Sequence, residues 1–245
     1  MKLNKTKIVA TLGPASSSRP MLKKLLNAGV DVFRINFSHA SYEETSITIK
    51  NIRELSAELK IHASILADLQ GPKIRLGNIK EGVSVKKGDV INITTKTLKE
   101  GDNKLVSINY LDFPKDVNPN ESILINDGKI ILKVLESNKT DLIVAKVIQG
   151  GLLESKKGVN LPNTKISLPA LTKKDKEDAL FAIKHHLDWI ALSFVRSKKD
   201  ISILQKLIEI NSDYKIPIIA KIEKPEAISN MDEIIKKSDG IMVAR

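Results

Sequence analysis

A chain of 245 residues with 42% hydrophobic side chains is long enough for one large domain or two smaller ones around a sizeable core. It has no cysteine, which excludes disulfides, thiol catalysis and cysteine-ligated zinc. The net charge of +11 is spread as lysines along the whole length with only 4% aromatics, a poor basis for nucleic-acid binding. No run approaches the ~18 apolar residues of a membrane span, and MKLNKTK at the amino terminus lacks a signal-peptide core. The expected setting is therefore the cytoplasm, with neither membrane nor nucleic acid as partner.

TKIVATLG (6–13) reads as a buried strand closed by Gly13-Pro14. Serines 16 to 18 can cap a helix from Pro20 to Ala28, and VDVFRINFS follows as a second strand. Tyr42–Leu59 has helical periodicity, and IHASILADL (61–69) is a third strand, so the opening is a run of parallel βα units. From Gly71 to about Ile166 the pattern changes to short alternating runs such as DVINITT and TDLIVAKVI, an all-β insertion. The α/β pattern then resumes: helix 173–186, strand 187–195, helix 197–210, strand 215–223, helix 225–237 and a last strand, DGIMVAR.

The division expected is 1–70, 71–166 and 167–245: a (β/α)8 TIM barrel truncated after its sixth strand, with a β barrel-like domain inserted after the third. An open, doubly wound six-stranded sheet is the alternative on pattern alone. In a barrel the chemistry sits at the carboxyl ends of the strands. The polar residues there are Thr11, then Arg34, Asn36, Ser38 and His39, then Asp68, then Ser193 and Arg196, then Lys221 and Glu223, then Arg245. Lys221 and Glu223 stand two apart at a strand end, so both point the same way. The glutamate suits a divalent metal, and the lysine suits negative charge developing on a substrate.

Other polar residues invite plainer readings. For His39 a supporting hydrogen bond is simpler than catalysis. Trp189 is expected in the core, and Lys173-Lys174 on a solvated helix face. His185 and His186 sit at a helix end, away from any metal-ligand spacing. There is no GxxxxGK[ST] or GxGxxG element, so a nucleotide would be held by side chains.

RINFSH (34–39) and DLQGPKIR (68–75), with TKIVATLGPAS, SKKGVNLP (155–162) and IIAKIEKPEAISNMDEII, resemble pyruvate kinase along the whole chain. The resemblance implies phosphoryl transfer from phosphoenolpyruvate to ADP, giving pyruvate and ATP in glycolysis, with Mg2+ or Mn2+ as cofactor and a homotetrameric parent enzyme. It implies that Arg34 contacts the transferred phosphate and that Lys221 stabilises the enolate. Glu223 becomes a magnesium ligand, and Ser193, Ala244 and Arg245 substrate contacts. Asn36, His39, Arg75 and Lys157 fall at nucleotide-binding positions, Lys157 from the lid-like inserted domain. Asn36, Ser38, Asp68 and the carbonyl of Leu69 match a monovalent-cation site. Lys73 departs from the glutamate of potassium-dependent members, and its ammonium is expected to replace K+.

Ala244 and Arg245 open the family's ARGDLG motif, whose glycine and metal-binding aspartate would come next. The chain alone is accordingly expected to be nearly or wholly inactive. Other readings are a barrel lyase or aldolase acting on phosphoenolpyruvate or pyruvate, against which the inserted lid-like domain counts, and a non-catalytic remnant that binds phosphorylated ligands.

Overall fold

The computed structural model describes residues 5–38 and 40–244. His39 and Arg245 lie outside the described residues, so what is expected of them rests on sequence. The chain forms two compact units, one of Met1–Pro72 with Pro169–Arg245 and one of Lys73–Leu168.

The first unit opens with β1 (Val9–Thr11), α1 (Arg19–Asn27), β2 (Val32–Asn36), α2 (Tyr42–Leu59) and β3 (Ser64–Asp68). Pro20 in the first turn of α1 has its φ already set for a helix. Glu43 and Glu44 favour the positive end of the α2 dipole, and the chain leaves α2 through Lys60 in the left-handed conformation. Leu22 and Leu26 of α1, and Ile49, Ile52 and Leu55 of α2, recur at helical spacing and are buried.

The second unit holds β4 (Ser84–Val85), β5 (Val90–Thr94), β6 (Leu105–Ser107), α3 (Phe113–Asp116), β7 (Ser122–Ile125), β8 (Ile130–Ser137), β9 (Leu142–Gln149), β10 (Gly151–Leu152) and β11 (Val159–Asn160). Six of these strands form one sheet in the order β11-β7-β8-β9-β5-β6, and β10 pairs with β4. Strand alternation buries Ile91, Ile93, Ile123, Leu132, Val134 and Ile143 in its own core. The short helix α3 interrupts what the sequence pattern predicts as all-β; Pro114 occupies its first turn.

Asn109 and Tyr110, adjacent in sequence, hold both ends of this unit. Asn109 takes the amide of Arg75 at 2.7 Å and donates to the Lys73 carbonyl at 3.1 Å. The Tyr110 hydroxyl donates to the Asp116 carboxylate, which also accepts the Ser167 amide at 2.6 Å. Burial, together with that carboxylate, pushes the Tyr110 phenol up to about 12. A raised phenol favours the neutral folded form, so its contribution is full below pH ~10 and is lost as pH rises toward 12. Alkaline unfolding of this unit is expected to steepen in that window, by roughly 2–3 kcal/mol in total. In Tyr110→Phe the steepening should vanish; its persistence in denaturant titrations at stepped pH would remove Tyr110 as the cause.

The chain returns through α4 (Lys173–Lys184), β12 (Trp189–Leu192), α5 (Lys198–Asn211), β13 (Ile218–Ile222), α6 (Pro225–Ser229), α7 (Met231–Lys237) and β14 (Gly240–Val243). Capping boxes start α4 at Thr172/Asp175 and α5 at Ser197/Asp200. The single helix expected over 225–237 is two, divided at Asn230, whose side chain donates to the Arg196 carbonyl at 2.8 Å. Trp189 is half-buried and not in the core, since it takes the first position of its strand.

The first unit's sheet runs β1-β2-β3-β12-β13-β14, all parallel and in sequence order. Strand after strand joined through helices in this order is the beginning of a (β/α)8 barrel, truncated here at six strands. β3 pairs directly with β12 (Ala67 opposite Ile190) although the inserted unit separates them in sequence. One device recurs on alternate strands. Asp31, Asp188 and Asp239 each immediately precede β2, β12 and β14, and accept the amides of Ile8 (2.8 Å), Ile65 (2.6 Å) and Ile218 (3.0 Å) at the start of the preceding strand. Lys7, Arg53 and Lys215 balance the three carboxylates.

Candidate active site

The strands' carboxyl ends gather four charged side chains. Arg34 in β2 donates through Nε to Asp68 Oδ2 at 2.8 Å, its Nη2 also meets that oxygen, and Nη1 donates to Thr11 Oγ1 at 2.7 Å. Asp68 ends β3 and is buried. Across it, Lys221 Nζ lies 3.0 Å from Asp68 Oδ1 and 3.3 Å from Glu223 Oε1. The Asp68 contact with Lys221 is one of charge: Oδ1 has no aligned hydrogen-bond donor among the described residues. Two cations thus face two carboxylates, and Lys221 and Asp68 are almost wholly removed from water, where mutual attraction must offset desolvation.

Backbone corners set these groups. Ser193 follows β12, donates its hydroxyl to the Leu69 carbonyl at 2.6 Å and accepts Lys221 Nζ at 2.8 Å. The hydroxyl is buried, its proton given to Leu69 and its oxygen accepting Lys221, so it ties the lysine to the turn after β3. Phe194, next in sequence, adopts the left-handed conformation (φ 55) and donates its amide to Glu223 Oε2 at 2.9 Å. That corner packs on Gly71, where a Cβ would stand 2.5 Å from the Phe194 ring and 2.9 Å from Ser193 Cβ. Lys224 places its ammonium 5.6 Å from the centre of the Phe194 ring, and burial lowers its pKa.

Among the residues singled out from sequence, the structure brings Arg34, Asp68, Ser193, Lys221 and Glu223 together. Asn36 Oδ1 accepts the Ser38 amide at 3.0 Å, and the Asp68 carbonyl accepts the Phe37 amide at 3.0 Å, so the turns after β2 and β3 are tied. A cavity beside them is lined by Thr11, Gly13, Pro14, Asn36, Ser41 and Glu44. The Ala244 amide donates to the Ile222 carbonyl at 3.3 Å. In the second unit Arg75 and Lys157 stand side by side: Arg75 pairs with Gly158 across an isolated bridge and donates to the Lys156 carbonyl at 2.7 Å. Lys157 faces Glu154 at 3.4 Å, and Lys73 is the first residue of that unit.

Sequence reasoning misses Phe194, Lys174, Asp175 and Asp178. A left-handed phenylalanine has no sequence signature, whereas two aspartates within a lysine-rich helix offer a faint one.

The donor chemistry fits part of a magnesium site. Glu223 is a carboxylate with one contact on each oxygen, and Asp68 Oδ1 is a buried oxygen with no hydrogen bond among the described residues. Mg2+ takes oxygen ligands and often only one or two carboxylates, the rest coming from substrate and water. Among the described residues no group of three or more His, Cys, Asp or Glu could hold a metal without such help. No described helix is long and apolar enough to cross a membrane.

Six parallel strands joined by helices, with polar and charged groups gathered at their carboxyl ends and a β unit inserted after the third, define a protein of the (β/α)8 barrel class. The family model described as pyruvate kinase, barrel domain, matches residues 3–245. Pyruvate kinases of Thermococcus litoralis and Staphylococcus haemolyticus are each 42% identical over 99% of this chain, which covers 50% and 42% of their lengths. That of Corynebacterium glutamicum is 41% identical over 98% of the chain and 50% of its own length. The chain belongs to the pyruvate kinase family, and it spans about half the length of the curated relatives it matches.

Proposed function

We propose that this chain carries the phosphoenolpyruvate end of a pyruvate kinase, a cytoplasmic glycolytic enzyme working as a homotetramer. The observation that carries the reading is the convergence of Arg34 and Lys221 on Asp68 at the strand ends, with Glu223 on the far side of Lys221. In the reaction the bond between phosphorus and the enol oxygen of phosphoenolpyruvate breaks. A new bond forms to a terminal oxygen of ADP, and the enolate left behind takes a proton at carbon to become pyruvate. Such transfers need positioning and charge neutralisation more than covalent help.

Arg34, fixed on Thr11 and Asp68, offers its guanidinium to the phosphate. Lys221 holds an ammonium beside the enolate oxygen, aimed by Ser193. Glu223 would hold Mg2+ or Mn2+, which when bound supplies Lewis-acid charge to the substrate oxygens. Asn36, His39, Arg75 and Lys157 would contact the nucleotide, and Ser193, Ala244 and Arg245 the substrate or its supports. Turnover by residues 1–245 alone is expected to be small, as Glu223 is the one residue among them proposed to ligate the metal, and both of its oxygens already have contacts.

Potassium is expected to be dispensable. Ser38, Asn36, Asp68 and the Leu69 carbonyl would form the corresponding site. Yet Asp68 already faces Arg34 and Lys221, the Leu69 carbonyl accepts Ser193, and Lys73 adds a further ammonium in the same loop sequence. Calorimetric titration of phosphoenolpyruvate tests the reading. Mg2+-dependent binding is expected, weakened by Arg34→Met and unchanged when choline replaces K+. Binding indifferent to Mg2+ and to Arg34 would overturn the functional reading, and a strong K+ requirement would overturn the role given to Lys73.

A further inference from the structure

Two buried carboxylates on α4, Asp175 and Asp178, take no part in the chemistry above, although both are 0% exposed. Each is spent on a loop that carries site residues. Asp178 accepts the Tyr42 hydroxyl at 2.7 Å and the Lys174 ammonium at 2.6 Å, and that ammonium also donates to the Phe37 carbonyl at 2.8 Å. Phe181, one turn further along α4, stacks on the Tyr42 ring at 4.6 Å and meets the Phe37 ring edge-on at 5.9 Å. The turn after β2 is therefore gripped at Phe37 and again at Tyr42, on either side of Ser38. Asp175 accepts the Gly71 amide at 2.9 Å while its other oxygen caps α4 through Thr172, so the same helix also grips the turn after β3.

We propose that α4 is a loop clamp, with Lys174, Asp178, Tyr42 and Asp175 as positioning residues for Asn36, Ser38, Asp68 and Leu69. The arrangement exceeds what holding a helix on a barrel requires. A buried carboxylate is costly unless fully partnered, and apolar packing would seat α4 without it. Here every named contact of Asp178, and the Gly71 contact of Asp175, goes to the carboxyl-end turns or to a residue reaching them. Burial, and then the Asp178 carboxylate, hold the Tyr42 phenol well above its ordinary range, so this contact keeps its proton at any working pH. Lys174 is exposed, as expected of it, yet its ammonium reaches a tertiary acceptor, the Phe37 carbonyl, 137 residues away. The consequence for ligand binding rests on the proposed function; the clamp itself does not.

The test uses two mild variants of the 245-residue chain, Tyr42→Phe, which keeps the stacked ring, and Lys174→Met, which keeps the stem. Deuterium exchange of peptides covering residues 36–42 is expected to speed up about fivefold to tenfold in each, the share of one good hydrogen bond, while α5 and β13 stay unchanged. Phosphoenolpyruvate affinity should fall by a similar factor, and Asp178→Asn, which retains an acceptor, should lose less than Asp178→Ala. Unaltered exchange at 36–42 in both variants would overturn the clamp. Faster exchange with undiminished affinity would reduce it to a structural tie. A parent chain that binds no phosphoenolpyruvate would count against the functional reading alone, the clamp then being judged by exchange.

Discussion

Replacing Lys221 with methionine is expected to destabilise the barrel unit by about 3–5 kcal/mol, the cost of leaving buried charges without their partner. The side chain is 9% exposed and stands between Asp68 at 3.0 Å and Glu223 at 3.3 Å, themselves 2% and 12% exposed. Methionine fills the stem's volume, so the loss is electrostatic and not a cavity. Arg34 remains on Asp68, but among the described residues Glu223 keeps only the hydrogen bond from the Phe194 amide. The contrast is Lys23, 2.7 Å from Glu58 with both side chains 47% exposed. Water screens that pair, and Lys23→Met should cost under about 1 kcal/mol despite the shorter distance. The lone tryptophan, Trp189 in β12, reports unfolding of this unit separately from the inserted one. Urea titrations in which the two variants lose equal stability would contradict the buried-network account. If the proposed reaction is right, the full enzyme bearing the Lys221 change should also lose on the order of 10²–10³ in turnover.

Gly71→Ala is expected to be the next most damaging change, at roughly 2–4 kcal/mol, summing left-handed strain and overpacking. Gly71 has φ +70, and an added methyl would meet Phe194 at 2.5 Å and Ser193 at 2.9 Å. Neither neighbour can yield freely: Ser193 is tied to Leu69 and Lys221, and Phe194 is held by its amide on Glu223. Relief must come through that corner, so the damage should reach the proposed metal ligand. Mn2+ affinity is expected to fall about 10–100-fold, as when a ligand loses its orienting hydrogen bond. Paramagnetic resonance of free Mn2+, with circular dichroism to confirm folding, separates the two effects. A folded variant with native Mn2+ affinity would show that the corner does not orient Glu223.

How much of this is legible in the sequence depends on range. The parallel strands are plain because β2, β3, β12 and β13 are apolar runs bounded by helical periods, and buried parallel strands must look so. Lys221 and Glu223 announce themselves by spacing at a strand end. The break at Asn230 is hidden, since residues 225–237 carry an unbroken helical pattern and the Arg196 carbonyl that Asn230 bonds lies 34 residues upstream. Lys174 and Asp178 look like any exposed i,i+4 pair; Lys174 is exposed, but Asp178 is buried, and only the tertiary partners Phe37 and Tyr42 reveal the tie. Phe194 is invisible because its backbone conformation is imposed by packing on Gly71 and not by its own preference.

The measurement that bears most directly on the central claim is Mn2+ binding, read by paramagnetic resonance in the presence and absence of phosphoenolpyruvate, for the parent chain and Glu223→Gln. The account predicts that phosphoenolpyruvate tightens Mn2+ binding in the parent, and that Glu223→Gln loses at least about tenfold in affinity while remaining folded. Equal Mn2+ affinity in the two proteins, with no response to phosphoenolpyruvate, would contradict it.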